Sequence, residues 1–309
     1  MKQCWDKLGL IFSPAGERDW MQSHAAVPIA EHISEDLFRI YFSSRDKNNR
    51  SYTGYVLIDI TRPQAILELS RKPVLSPGYL GEFDDSGAMA TWLVSHKGKR
   101  FLYYIGWNLG VTVPFRNAIG LSVSTGGNAF DRYAHGPILD RTMDEPHFVA
   151  SCCVVPGDDK WRMWYLSCTG WRIRHETPEH RYHIKYAESR DGIHWSREGI
   201  VAIDYADETE YAISRPSLIR DKDLWKMWYS YRGDKYRIGY AESADGRQWK
   251  RLDEDCDIDV STSGWDSDMI EYPFVFDHDG RRYMLYNGNG YGKTGFGLAI
   301  LRGSDDTAR

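Results

Sequence analysis

The sequence predicts an all-β protein folded as a five-bladed β-propeller. Three observations support this: aromatic-led segments with alternating side chains, a nearly constant spacing between these segments, and a turn motif that follows two of them. The aromatic-led segments begin at Phe38, Phe101, Trp161, Trp225 and Tyr283, so the steps between them are 63, 60, 64 and 58 residues. Five copies at such a spacing indicate a radial repeat in which each copy is one blade.

The clearest copy extends from Trp225 to Trp249 and shows the elements of one blade. Alternation predicts a strand over 225–230 and a second strand over 236–242, joined by a polar turn, so the two form a hairpin. The motif Ser-x-Asp-Gly-x-x-Trp follows at 243–249 and also occurs at 189–195. Asp-Gly favours a tight turn and the Trp packs back on the sheet, so we interpret this motif as structural.

The same order of strands is predicted along the whole chain, as a single domain over residues 1–309. The predicted strands cover 25–29, 38–42, 54–60, 88–94, 101–105, 117–124, 149–155, 161–166, 183–189, 213–219, 225–230, 237–243, 270–276, 283–287 and 295–301. An additional N-terminal strand over 8–12 has no partner in the first copy, and the last copy lacks a fourth strand. We expect these two to pair, because this covers an open sheet edge. The polar segment from Thr169 to Tyr182 is predicted to be a long loop.

Composition excludes several classes of function. The net charge of -5 gives no basic surface for nucleic acid. The N-terminus has no apolar signal segment and no stretch has membrane-spanning length, so we expect a cytoplasmic protein without a membrane partner. The five cysteines include no CxxC pair, which favours reduced thiols. His175, His180 and His183 lie in the predicted loop and are interpreted as a solvated surface, so we expect no metal and no cofactor.

Together, the five copies, the repeated turn motif and the acidic residues before the first strand of several copies resemble the five-bladed propeller glycosidase superfamily. This superfamily includes arabinanases, xylosidases, invertases, levansucrases and mannoside phosphorylases. The resemblance covers essentially the whole chain. It implies a central funnel where three acidic residues from different blades surround a sugar or oligosaccharide.

Three carboxylates are candidates for that funnel. Glu271-Tyr272-Pro273 is similar to the Glu-x-Pro signature around the general acid of the arabinanase and xylosidase group, so the resemblance assigns Glu271 as the acid. Asp85 is the candidate base or nucleophile, and Glu210 the third carboxylate. The alternative is that acids before a strand, such as Asp84, Glu145 and Asp266, stabilise turns.

The chain also departs from the resemblance. The arabinanase-like enzymes place an Asp before the first-blade Pro, whereas this chain has Val27-Pro28, with His24 as the nearest titratable group, and the fourth blade has Arg215-Pro216. Cations that could face the funnel are His24, Arg45, Arg116, Arg172 and Arg215. They favour an anionic substrate, because guanidinium groups bind phosphate and carboxylate. The alternative is that most of them are surface residues and that Arg215 alone pairs with Glu210 or Glu271. The further candidates for substrate binding are Trp107, Tyr211, Asp268 and Tyr272, with Trp171 as another flat face.

Three functions remain open. The first is an enzyme acting on a glycosidic bond with Asp85, Glu210 and Glu271. The second is phosphorolysis or glycosyl transfer on an anionic or nucleotide-linked sugar, which the missing first-blade Asp and the arginines favour. The third is a glycan-binding propeller without catalysis, since a fold does not determine a function. The sequence leaves the oligomeric state open.

Overall fold

The computed structural model describes residues 2–303 and consists almost entirely of β-strands. The helical segments in this part of the chain are a 3-10 turn at Asp253–Asp255 and a four-residue α-helix, α1, at Asn289–Gly292. None of the helices within residues 2–303 has the length and apolar character needed to span a bilayer. The prediction of an all-β protein is confirmed.

The strands form three hydrogen-bonded sheets. The eight-stranded sheet contains β2 (Ser23–Ser34), β3 (Leu37–Arg45), β4 (Ser51–Asp59), β5 (Ile66–Leu69), β6 (Gly87–His96), β7 (Lys99–Leu109), β8 (Phe115–Ser124) and β9 (Asp131–Arg132). Its halves, β2 to β5 and β6 to β9, are internally antiparallel. A single parallel pair, Ser51 with Gly87, joins them.

The nine-stranded sheet has the same construction. It contains β10 (Val149–Val155), β11 (Trp161–Arg174), β12 (Thr177–Ser189), β13 (Trp195–Ser196), β14 (Val201–Ile203), β15 (Ala212–Asp221), β16 (Leu224–Arg232), β17 (Tyr236–Ser243) and β18 (Lys250–Arg251). Its halves, β10 to β14 and β15 to β18, are joined by the parallel pair of Tyr182 with Ala212.

The five-stranded sheet pairs the first and the last strand of the described residues. It contains β1 (Gln3–Phe12), β19 (Cys256–Asp257), β20 (Glu271–His278), β21 (Arg281–Asn287) and β22 (Phe296–Leu301). β1 pairs antiparallel with β22 from Trp5–Leu301 to Phe12–Phe296, and parallel with β19. The predicted pairing of the N-terminal strand with the strand ending at Leu301 is therefore confirmed.

The segment predicted to be a loop between Thr169 and Tyr182 is instead a hairpin. β11 and β12 extend through it, and the register continues from Gly170–Arg181 to Arg174–Thr177. The sequence of these strands contains charged residues and shows no apolar alternation. The backbone groups pair across the strands all the same, because their hydrogen bonds do not depend on such an alternation. The prediction of a loop was wrong because it depended on that alternation.

The repeated turn motif connects neighbouring parts of the sheets. Gly192 and Gly246 have φ angles of 74° and 76°, the left-handed region where Gly has no steric penalty. The Gly246 carbonyl accepts a hydrogen bond of 2.8 Å from the Trp164 indole, and the Gly192 carbonyl one of 2.8 Å from the Tyr103 hydroxyl. The structural interpretation of the motif is confirmed.

A β-bulge interrupts each of β2, β6, β10, β15 and β20 at a similar point. The unpaired residues are Val27-Pro28, Thr91, Ser151, Arg215-Pro216 and Tyr272-Pro273. Val27, Arg215 and Tyr272 have φ angles of 54°, 54° and 56°, which are unfavourable for residues with a Cβ atom. Such strain persists only where surrounding groups compensate it.

Side-chain oxygens supply that compensation. The backbone N–H groups of Val27, Arg215 and Tyr272 lack a ladder partner because of the bulges. They donate instead to Asn287 Oδ1 at 2.8 Å, to Ser151 Oγ at 3.2 Å and to Ser230 Oγ at 2.7 Å, respectively. The bulges are therefore fixed features that aim selected side chains out of the sheets.

Candidate functional site

The bulges surround the candidate site, a cavity of about 440 Å³. This volume is within the range of small-molecule sites, roughly 300–1,000 Å³. Val27, Ser151, Arg215 and Tyr272 from four of the five bulges line it. The bulges thus converge on one place, although they come from strands far apart in the chain.

Four of the predicted substrate-binding residues line this cavity: Arg45, Trp107, Arg215 and Tyr272. Trp107 is oriented by a hydrogen bond of 3.2 Å from its indole to Ser51 Oγ. The structure therefore brings together residues from β3, β7, β15 and β20. Their roles in binding stay predictions.

Arg45 is the cation best placed to meet a ligand. It lines the cavity half-buried, and its guanidinium forms no ion pair with a carboxylate within residues 2–303. Burial lowers the pKa of Arg45, although the guanidinium stays charged at neutral pH. Because a partly buried charge without a counter-charge is unfavourable, an anion in the cavity would stabilise it.

Arg215 is fully buried and holds the centre of the structure together. Its guanidinium donates to the Pro28 carbonyl at 3.0 Å and to the Thr91 carbonyl, thereby linking three bulges. It contacts neither Glu210 nor Glu271 through an ion pair in the described part of the chain. Burial lowers the pKa of Arg215 to about 10, which leaves it charged at neutral pH.

Glu271 lies directly behind the cavity wall. Its carboxyl is fully buried, and neither oxygen forms a hydrogen bond of normal geometry among residues 2–303, although the backbone N–H of Tyr291 lies close to it. Burial raises the pKa of Glu271 well above its ordinary range, and the Arg232 charge and the Tyr291 backbone N–H oppose this only partly. Tyr272, which follows Glu271 in the sequence, and Tyr291, whose backbone N–H lies near its carboxyl, both line the cavity. Burial therefore favours the protonated form of Glu271, one residue away from the site.

Asp85 and Glu210 are not among the residues that line the cavity. Asp85 accepts hydrogen bonds from the Gly81 backbone at 3.0 Å and the Ser86 hydroxyl at 2.9 Å. Glu210 is buried and forms a two-pronged ion pair with Arg251, at 2.7 and 2.8 Å. The catalytic roles of both carboxylates stay predictions.

Three other acids, which the alternative interpretation considered structural, lie in surroundings similar to those of Glu210, because each forms an ion pair of its own. Asp84 pairs with Arg132 at 2.8 Å, Glu145 with Arg197 at 2.6 Å, and Asp266 with Lys7 at 2.7 Å. All three acids are buried, and each cation lies on or next to an outer strand. These acids therefore stabilise the connection between inner and outer strands, through side chains rather than through turn N–H groups alone.

The remaining predicted residues are not among those that line the cavity. Burial lowers the pKa of His24 to about 4, and the charges of Arg45 and Lys293 add to this, so His24 is neutral at pH 7. Arg116 is exposed on β8, and exposed Asp268 pairs with Lys235 at 2.9 Å. Tyr211 is buried beneath Arg172 and Arg232. Arg172 itself pairs with Glu179, and Trp171 packs on Phe115 and Phe148.

Several lining residues were missed by sequence analysis. They include Asn49, Ser51, Met89, Ile105, Asn117, Phe148, Leu166, His180, Tyr182 and Tyr291. His180 stacks on Tyr182 with ring centroids 4.7 Å apart, and burial lowers its pKa to about 4. His183 is buried as well. The prediction of a solvated histidine surface was therefore wrong for both, because β11 and β12 form a hairpin whose inner face packs on the protein.

One group of side chains has spacing suitable for a metal ion among residues 2–303: Asp36, His278 and Asp279, with ligand atoms within 4.8 Å of one another. His278 and Asp36 already form a contact of 2.9 Å. None of the three lines the cavity, so this group adds nothing to its chemistry.

Comparison with known sequences identifies close relatives. The chain is 48% identical over 297 residues to Uncharacterized protein MT1551 of Mycobacterium tuberculosis (strain CDC 1551 / Oshkosh), covering 96% of this chain and 99% of the relative. Uncharacterized protein Rv1502 of Mycobacterium tuberculosis (strain ATCC 25618 / H37Rv) shows the same identity and coverage. No protein-family model matches the chain.

Comparison with solved structures identifies the fold. The structure of a BT0996 RGII complex superposes with a TM-score of 0.73 at 19% identity, covering 97% of this chain and 91% of the matched protein. A glycosyl hydrolase from Bacteroides ovatus gives 0.73 at 15% identity, with 97% and 94% covered. A thermostable family-43 glycoside hydrolase gives 0.65 at 15% identity, with 91% and 88% covered. The predicted likeness in fold is confirmed.

Proposed function

We propose a function from two premises: the chain belongs to the same family as the two Mycobacterium tuberculosis proteins, and it has the β-propeller fold of glycoside hydrolases. The function is that of a carbohydrate-active enzyme. It acts on a glycosidic bond of a sugar bound in the cavity, with Glu271 as general acid and Arg45 binding an anionic group. The observation that carries this proposal is the fully buried carboxyl of Glu271, which forms no hydrogen bond of normal geometry, directly behind a cavity lined by an arginine without an ion pair among residues 2–303.

Glu271 has the properties of a general acid. Cleavage of a glycosidic bond needs a carboxylic acid that keeps its proton near neutral pH and gives it to the leaving oxygen. A buried carboxyl without partners is costly to the fold, so it is explained best by a catalytic use. To reach a substrate it must be uncovered, and α1 is the segment that would have to move, because its Tyr291 lines the cavity and its backbone lies close to the carboxyl of Glu271.

The second reactive group of a hydrolase is missing from the cavity wall. Hydrolysis uses a second carboxylate as base or nucleophile, but no Asp or Glu is among the lining residues described. Phosphate held by Arg45 would replace it. The glycosidic C–O bond breaks, a phosphate oxygen bonds to the anomeric carbon, and Glu271 protonates the leaving oxygen and regains a proton from hydrogen phosphate. We therefore favour phosphorolysis, or transfer from a phosphate-linked sugar, over hydrolysis.

The test is a turnover screen of the purified protein against oligosaccharides, sugar phosphates and nucleotide sugars, each with and without inorganic phosphate. We expect turnover that depends on phosphate or a phosphate-linked donor, and its loss in Glu271→Gln. Glu254→Gln is the matched control, since Glu254 is exposed and does not line the cavity. Full activity of Glu271→Gln would remove this residue from the mechanism, and phosphate-independent cleavage would favour hydrolysis.

A second candidate function is a glycan-binding propeller without catalysis. It is favoured by the position of Asp85 and Glu210 outside the cavity lining and by the closed wall over Glu271. Tight sugar binding without turnover, unchanged in Asp85→Asn and Glu271→Gln, would support it. Loss of turnover in Asp85→Asn or Glu210→Gln, with the fold intact, would support the original assignment of three catalytic carboxylates.

We also propose that the propeller has five blades. The single bridges Ser51–Gly87 and Tyr182–Ala212 are natural boundaries within the two larger sheets. Dividing the sheets there leaves five groups, antiparallel except for the pairing of β1 with β19, and each has one of the bulged strands, in agreement with the five copies in the sequence. An experimental structure that shows another number of blades would refute this.

A further inference from the structure

The cavity has two chemically different sides. The apolar side consists of Met89, Ile105, Leu109, Phe115, Phe148 and Leu166. The polar side carries Arg45, Asn49 and Ser51, together with Tyr272. A ligand that fills the cavity therefore meets a cation from β3 and hydrocarbon from residues on or beside β6, β7, β8, β10 and β11, where Asn117 and His180 are the polar neighbours.

The apolar side is poorly suited to a bare sugar ring. Met89, Ile105 and Leu166 carry no strong hydrogen-bonding group in their side chains. Sugar hydroxyl groups placed against them would leave water without finding new partners, which is unfavourable. A hydrocarbon chain or an aryl group placed there would instead gain from burial.

This side also continues to the protein surface. Phe148 and Phe115 pack with ring centroids 5.6 Å apart, and Leu109 lines the cavity while 75% of its surface stays exposed. Val111, in the connection between β7 and β8, is fully exposed. We name Leu166, Phe148, Phe115, Leu109 and Val111 the apolar track. Exposed apolar side chains beside a cavity of the same character indicate a ligand that extends out of it.

We infer that the ligand is amphiphilic: an anionic sugar whose phosphate or carboxylate binds at Arg45 and whose alkyl or acyl chain lies along the apolar track. The inference rests on the proposed function for its sugar and anionic end. The alkyl or acyl chain of the ligand is inferred from the apolar track alone. A glycolipid of this kind matches both sides of the cavity at once, whereas a polar oligosaccharide matches one.

The test measures binding of n-alkyl phosphates from butyl to octyl, below their micelle concentrations, beside inorganic phosphate. Titration calorimetry of the full chain gives each Kd. Burial of each added methylene should tighten binding roughly three- to fourfold until the track is filled. A Kd that does not change with chain length would overturn the amphiphilic ligand, while phosphate binding alone would leave the proposed function standing.

Three variants test the two ends of the ligand separately. Leu109→Ser should flatten the dependence on chain length, whereas Leu80→Ser, the same change at a residue 98% exposed and outside the cavity lining, should not. Arg45→Gln should weaken every alkyl phosphate by a similar factor and keep the dependence. A steep dependence with no effect of Arg45→Gln would refute the anionic end and, with it, this part of the proposed function.

Docking of the apolar track on a membrane surface is a further outcome, and the test must distinguish it from binding of a single amphiphilic ligand. If Leu109 and Val111 dock on a membrane, the protein will sediment with phosphatidylglycerol vesicles, and Leu109→Ser will release it, while alkyl phosphates show no dependence on chain length. That result would overturn the inference in favour of a lipid surface. Binding of monomeric alkyl phosphates with the expected dependence supports it.

Discussion

The N-terminal strand β1 allows the sharpest test of the fold, through Trp5→Ala. Trp5 is 5% exposed and packs edge-on against Trp228 with ring centroids 6.1 Å apart. Gln3 accepts hydrogen bonds from both indoles, at 3.2 Å from Trp5 and 2.9 Å from Trp228. β1 thereby ties the strand at the C-terminal end of the described chain to β16, at a site that also includes buried Cys256.

The expected loss follows from the buried side chain. Truncation of a buried Trp to Ala costs about 3–5 kcal/mol. For a chain of 309 residues, the entropy of unfolding near the midpoint is about 0.65 kcal/mol per degree. The Tm should therefore fall by about 5–8 °C in one cooperative transition.

Differential scanning calorimetry measures this change, and two variants serve as comparisons. Trp5→Phe should recover a large part of the loss because an aromatic ring remains. Lys2→Ala should leave Tm nearly unchanged, since Lys2 is exposed and its ion pair with exposed Asp257 spans 3.6 Å. If Trp5→Ala shifts Tm no more than Lys2→Ala, or gives two transitions, β1 is not part of one cooperative unit.

Three other substitutions test the charges of the molecule. Because the folded pKa of Glu271 is raised above its ordinary value of 4.5, its contribution to stability is complete below that pH and is lost as pH rises toward the folded pKa. The Tm of Glu271→Gln should therefore match the parent near pH 4 and exceed it at pH 7; a constant difference would contradict the raised pKa. Glu145→Gln should cost about 3–5 kcal/mol in urea denaturation, since it leaves the partly buried Lys185 and Arg197 without their counter-charge, and a loss below about 1 kcal/mol would show that water or another acid compensates. Arg45→Gln should keep or raise Tm without ligand and abolish the stabilisation by excess inorganic phosphate, because an unpaired, partly buried charge is removed; retained stabilisation would place the anion elsewhere.

The sequence was sufficient for most of the fold because strand alternation is a local signal. The segments beginning at Phe38, Phe101, Trp161, Trp225 and Tyr283 all lie in β-strands of the structure. Each is flanked by turns whose chemistry is readable, such as Asp-Gly at 245–246. The hairpin of β11 and β12 escaped prediction, because its outer half pairs through backbone groups while its side chains are charged.

The site was predicted less completely, for a different reason. A bulge shifts the register by a residue or two, and this decides which side chain points into the cavity. Tyr272 and Glu271 are neighbours in sequence, yet one lines the cavity and the other is sealed behind it. The lining residues Phe148 and Leu166 resemble ordinary core positions, so nothing in the sequence distinguishes them.

The bulges have a consequence for how this scaffold changes over time. At Val27 and Tyr272 the backbone is held by neighbouring pairs and by the side chains of Asn287 and Ser230, whereas the side chains of Ser151 and Arg215 themselves hold other bulges. Val, Thr, Ser, Arg and Tyr accordingly occupy equivalent places. A substitution at Val27 or Tyr272 can therefore place an acid or a base at the cavity while the side chains that hold the bulge stay in place. The bulge positions that line the cavity are thus places where new reactions can be acquired without a new fold.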